Sequence, residues 1–125
     1  MNQSTLYAEY PWRFQHFRKT FGYANMPLDG LWLRGPFLHN GSVPTVRDLL
    51  EPMSGRPAVF YRGYDVYDPV KLGFVSSVEK EGERRYFKFD TTTPGNTNTG
   101  HVGKRFGTDL VAADKDALVE FLKTF

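Results

Sequence analysis

The chain contains no cysteine, which excludes disulfides, cysteine-ligated zinc and thiol chemistry. It lacks an excess of either charge: the net charge is +2, with acids and bases mixed along the sequence. Nothing in that balance pulls the chain toward nucleic acid or an acidic membrane. No apolar run approaches the ~20 residues of a membrane span. Met1 to Arg18 hold no apolar stretch of the kind a signal peptide needs. Alanine and isoleucine are scarce beside 12 Gly, 8 Pro and 11 Phe, a composition for a small, loop-rich domain. At 125 residues the chain is one such domain or a piece of a larger one.

Breakers punctuate what is there. Phe14, Phe17 and Phe21 recur at i, i+3, i+7, with Pro11 suited to the first turn and Gly22 to the end of a short helix. Interleaved with Arg13, His16, Arg18 and Lys19, these rings also fit a nucleic-acid strip, but the small net charge favours a packing helix. Residues 27–45 carry Pro27, Gly30, Gly35, Pro36, Gly41 and Pro44, which forbid a long helix or a central strand. This segment is nonetheless apolar, with Leu31, Trp32, Leu33, Phe37 and Leu38, so it must pack against protein or a ligand.

Thr45 and Asp48 then form a carboxylate version of a capping box, and Pro52 stops a helix of about two turns. Tyr61, Tyr64 and Tyr67, spaced by three, are either pocket-lining or half-buried packing residues. Gly73–Val78 and Arg84–Phe89 flank Gly82 and are expected to form a β-hairpin over about 73–90. Residues 90–109 are a loop by composition. A C-terminal helix is expected over about 112–124, its apolar stripe formed by Leu118, Phe121, Leu122 and Phe125.

Candidate chemistry is sparse. His16, His39 and His101 show no zinc-site spacing, and no nucleophile elbow frames a serine. Gly95–Gly100 is flanked by glycines but lacks the lysine and preceding buried strand of a phosphate loop. His39 and His101 sit in Gly- and Asn-rich loops, where they act either as loop-stabilising hydrogen bonders or as iron ligands. Met26 and Met53 offer thioether sulfur. No catalytic residue is assigned.

The run from Met26 to Leu50, centred on Gly35-Pro36-Phe37-Leu38-His39-Asn40-Gly41-Ser42-Val43-Pro44-Thr45, resembles the C-terminal part of the di-haem cytochrome c peroxidase-like proteins, which include the cytochrome-type rubber oxygenases. The segments Arg56–Gly63, Tyr67–Phe74, Phe89–His101 and Ala117–Phe125 resemble the same group in the same order. The resemblance implies a mainly α, loop-rich, partial cytochrome c-like domain over 26–125, preceded by an aromatic and basic segment at 1–25.

It further implies a periplasmic haem-pocket domain serving electron transfer or oxidant activation. His39 would lie in the haem-pocket loop, Trp32 and Arg34 in the pocket wall, and His101 or Met53 at the axial position of the iron. The family anchors haem through Cys-x-x-Cys-His, and this chain has no such motif. Haem would therefore not be attached covalently through this chain. Three arrangements follow: the chain is the C-terminal portion of a longer protein, it completes a haem-bearing segment or subunit, or it is a haem-free structural or interaction domain on the same scaffold. Neither nucleic acid nor a membrane span is expected as a partner.

Overall fold

The computed structural model describes residues 25–125 and, ahead of them, Pro11, Lys19, Phe21 and Gly22. The short helix expected between Pro11 and Gly22 lies outside the described residues. The elements are α1 (Val46–Leu49), β1 (Val59–Arg62), β2 (Tyr67–Asp68), β3 (Gly73–Phe74), β4 (Lys80–Glu81), β5 (Arg84–Arg85), β6 (Phe87–Asp90) and α2 (Ala112–Leu122), with single 3-10 turns at Leu31–Leu33, Met53–Gly55 and Lys104–Phe106.

This corrects the expectation of a mainly α domain. The α-helices among the described residues are only 4 and 11 residues long, beside three small antiparallel pairs of strands. The reason is local. Gly and Pro recur so often between residues 27 and 107 that few uninterrupted stretches remain for a helix to propagate.

α1 forms as the capping chemistry requires. Thr45 Oγ1 accepts the Asp48 amide at 3.1 Å. The reciprocal contact differs from a standard box, because the Asp48 carboxylate accepts the Thr45 hydroxyl itself at 2.7 Å. Leu50 follows as the C-cap, with Pro52 just beyond it.

The hairpin expected over 73–90 is also corrected. Its turn at Gly82 is present, in the left-handed region at φ 57°. Its paired strands, however, extend only over Lys80–Glu81 and Arg84–Arg85. Continuing that register would set Ser76 opposite Phe89. Instead Phe89 pairs with Phe60 across β1 and β6, and the two rings stack at 5.1 Å, both buried. Burying one aromatic pair outweighs extending a charged, exposed hairpin. Gly73 and Phe74 pair with Tyr67 and Asp68.

The core joins α1, the β2–β3 turn and α2 through Val46, Leu50, Leu72 and Val119, with Leu31, Phe37, Tyr67, Leu118 and Leu122 packed around them. α2 is rotated relative to the expected stripe. Val119 and Lys115 are buried, whereas Phe121 and Phe125 are exposed. Lys115 reaches Glu51 at 3.3 Å, which turns its side of the helix inward. Gly73 completes the packing. A Cβ there would stand 2.6 Å from the Pro44 carbonyl oxygen, so only glycine lets these two backbones meet.

Candidate functional site

Two loops enclose an apolar hollow, and the sequence explains how each is held. In the first, Phe37 and Val43 bridge, with the Phe37 amide donating to the Val43 carbonyl at 2.7 Å. Between them the chain turns sharply. Gly41 takes φ 66° and Leu38 takes φ 65°, a conformation non-glycine residues seldom adopt. His39 stands exposed at the tip. The second loop runs from Gly95 to His101, which itself takes φ 57°.

Short polar side chains lace the two loops together. The Asn40 amide donates to the carbonyls of Gly95 at 3.3 Å and Thr97 at 3.2 Å, while its oxygen accepts the Ser42 amide at 3.1 Å. The fully buried Ser42 hydroxyl also donates to Thr97.

Beneath them lies Arg56, only 5% exposed. Its Nε donates to the Glu51 carbonyl, one terminal nitrogen to Asn98 and Gly100, and the other to Leu49 and His101. These five acceptors match the five donors of a guanidinium. Burial draws its pKa below the ordinary arginine value. The side chain thus fastens the end of α1 to the loop that carries His101.

The hollow between these loops has a volume of about 430 Å3 and is lined by Phe37, Leu38, His39, Leu49, Leu50, His101 and Phe106. The His101 ring meets Phe106 edge-on at 4.9 Å. Neither imidazole makes a side-chain hydrogen bond among the described residues. The site therefore offers two imidazoles beside an apolar floor, at a size within the roughly 300–1,000 Å3 of ligand pockets. Against haem, this donor set fits one face of the group: imidazole for the iron and apolar side chains for the porphyrin. Thioether anchoring does not fit, because the chain has no cysteine. Among the described residues no cluster of three or more His, Asp or Glu would hold a bare metal ion.

The other residues singled out in the sequence lie elsewhere. Met53 opens the 3-10 turn after Pro52, is 50% exposed and does not line the histidine hollow. Arg34 is exposed and donates to the Pro27 carbonyl at 3.1 Å. Trp32 stands edge-on to Tyr67 at 6.0 Å and lines a smaller hollow of about 180 Å3 with Pro69, Leu72 and Lys123. The Tyr67 hydroxyl is buried without a partner, and burial, then the charge of Asp68, raises its pKa.

Arg56 was not singled out from the sequence as a site residue. Its partners lie as far as 45 residues away, and a lone Arg before Pro57 carries no pattern that marks a clasp. Phe106 was likewise missed, being a single ring in a Gly-rich stretch.

Residues 22–61 match the family described as RoxA-like, cytochrome c-like. This stretch bears a cytochrome c-like relation to the RoxA-like group. It contains the His39 loop, Trp32, Arg34, Met53 and Arg56, and ends before the His101 loop. The chain is 46% identical over 108 residues to the uncharacterized protein y4iJ of Sinorhizobium fredii, and 38% identical over 119 residues to the uncharacterized protein y4iM of the same organism. Each match covers 82% of this chain but only 17% and 27% of those relatives. No solved structure matches the chain.

Proposed function

We propose that this domain forms one wall of a haem site in a RoxA-like, cytochrome c-like protein of the bacterial periplasm, where it serves electron transfer or oxidant activation. The observation that carries this reading is that His39 and His101, 62 positions apart (101 − 39), border a single apolar hollow. Haem, when bound, supplies one-electron exchange at its iron. His101 would hold the iron in preference to Met53, because His101 borders the hollow and Met53 does not. Arg56 fixes the His101 backbone through its carbonyl, and Phe106 steadies the ring. Phe37, Leu38 and Leu50 keep water from the floor, which raises the strength of any charge interaction made there. His39 borders the same space from the opposite loop and would meet a propionate or the far face of the group. The second wall and the covalent anchor belong to a haem-bearing segment or subunit. The two relatives extend well beyond the matched stretch, which leaves room for such a segment in those proteins.

A second reading has its own support. The polar side chains of the His39 loop, Asn40 and Ser42, are spent on lacing loops together. A haem-free structural or interaction domain needs the same lacing. Optical titration of the full chain with haemin separates the two. The haem reading expects the haemin Soret band to shift on binding, and that shift to be lost in His101→Ala, to weaken in His39→Ala and to persist in Met53→Ala. An unshifted spectrum at excess haemin, with the chain folded by circular dichroism, contradicts it and leaves the scaffold reading.

A further inference from the structure

A second cleft lies on the other side of the 35–41 loop, and nothing in the haem reading uses it. The Tyr61 amide donates to the Ser76 carbonyl at 2.8 Å, and the Val75 amide donates to the Val66 carbonyl at 2.9 Å. Residues 61 and 66 are thus pinned to adjacent positions of one segment, β1 ends at Arg62, and the three residues that follow it, 63–65, must loop out. Gly63, at φ 104°, permits the excursion. Tyr64 and Asp65 stand on it, and Arg62 ends β1 at its base.

The excursion walls a cleft of about 230 Å3, closed by Pro36 and Pro44 and faced by Phe60, Phe74 and Tyr61. The Arg62 guanidinium packs over Gly41, 3.3 Å from where a Cβ would stand, and lies 5.3 Å from the centre of the Phe89 ring. It has neither a carboxylate nor a hydrogen-bond acceptor among the described residues. This is the opposite of Arg56, whose donors are all engaged. A half-buried guanidinium held on an aromatic face, with no carboxylate within ion-pair distance among the described residues, is prepared for a planar carboxylate.

We propose that this cleft binds a small carboxylic acid with a flat apolar body. The carboxylate pairs with Arg62 and the body lies among Phe60, Tyr64 and Phe74. The volume, below the roughly 300 Å3 of drug-sized pockets, limits the body to about one ring. Asp65, exposed at the rim, opposes the anion and sets a measurable sign.

Benzoate is the probe, with benzyl alcohol as its neutral counterpart, titrated into the full chain and followed by amide NMR. Benzoate shifts the signals of Gly63, Tyr64 and Ser76 and binds about tenfold more tightly than benzyl alcohol. Arg62→Gln loses about tenfold in benzoate affinity. Asp65→Asn gains about twofold as a like charge is removed. Arg62→Lys, which keeps the charge but not the planar fork, loses about threefold and serves should Arg62→Gln fail to fold. His101→Ala leaves benzoate binding unchanged, so this result stands apart from the haem titration. Equal binding of benzoate and benzyl alcohol overturns the proposal. So does full affinity in Arg62→Gln or Arg62→Lys, or shifts that gather at Phe106.

Discussion

The strand pairs of residues 59–90 and the laced loops of residues 35–56 and 95–101 are built by different means. The first region uses backbone ladders, with β1 paired to β6 over four residues on each strand. The second has little ladder beyond the Phe37–Val43 and Thr45–Gly73 bridges. It is held by side chains that take backbone carbonyls as partners: Asn40, Ser42 and above all Arg56. A ladder spreads its stability over many modest bonds, so no single side chain decides it. A clasp concentrates stability in a few residues, and the loops it frees from ladder geometry are those that border the histidine hollow.

That contrast is breakable by mutation. Arg56→Ala has the largest expected effect. It strands five carbonyls, each costing ~1–3 kcal/mol when left buried and unpaired, with water recovering part, so a loss of about 3 kcal/mol is expected in urea denaturation. Arg56→Lys, with three donors in place of five, restores only part of it. Gly73→Ala comes next, at about 2–3 kcal/mol, because its methyl meets the Pro44 carbonyl oxygen at 2.6 Å and backbone yields poorly.

The third test concerns pH. Desolvation, the largest single influence, pushes the Glu51 carboxyl upward, but hydrogen bonds from Arg47 and Lys115 and their charges together bring it below its ordinary value. A carboxyl lower in the folded than the unfolded chain stabilises above its unfolded pKa of about 4.3, and this contribution is lost as pH falls through the folded value. Glu51→Gln therefore flattens the loss of stability in that acid range, measured as the urea midpoint against pH. It also lowers stability at neutral pH by leaving buried Lys115 without its carboxylate. The smallest effect belongs to the hairpin. Arg85→Ala removes an exposed pair with Glu79 and is expected to change stability by less than ~0.5 kcal/mol. A large loss there, or a negligible one at Arg56, would dissolve the contrast between the two regions.

The same contrast explains what could be read in the sequence. Local signals were legible: the Thr45 cap, the Gly82 turn and a C-terminal helix observed at Ala112–Leu122. Pairing was less so, because the turn at Gly82 pointed Phe89 toward residues 73–78, whereas burial against Phe60 sets its partner. The face of α2 differs from the apolar stripe because Lys115, a charged residue that such a stripe does not count, is drawn inward by Glu51. At the site, His39 and His101 were legible as loop histidines, but their convergence was not. It depends on Asn40, Ser42 and Arg56 reaching carbonyls 42 to 57 positions away, which no short-range periodicity encodes. Trp32 and Arg34 share the His39 segment in sequence yet fall outside the histidine hollow.

Proton NMR of the histidine rings during titration with zinc protoporphyrin, a diamagnetic flat probe, tests the shared hollow most directly. The account expects ring-current shifts at His39 and His101 with one common dissociation constant, accompanied by Phe37 and Phe106. Shifts confined to one histidine, or different constants for the two, would show that these side chains do not border the same space.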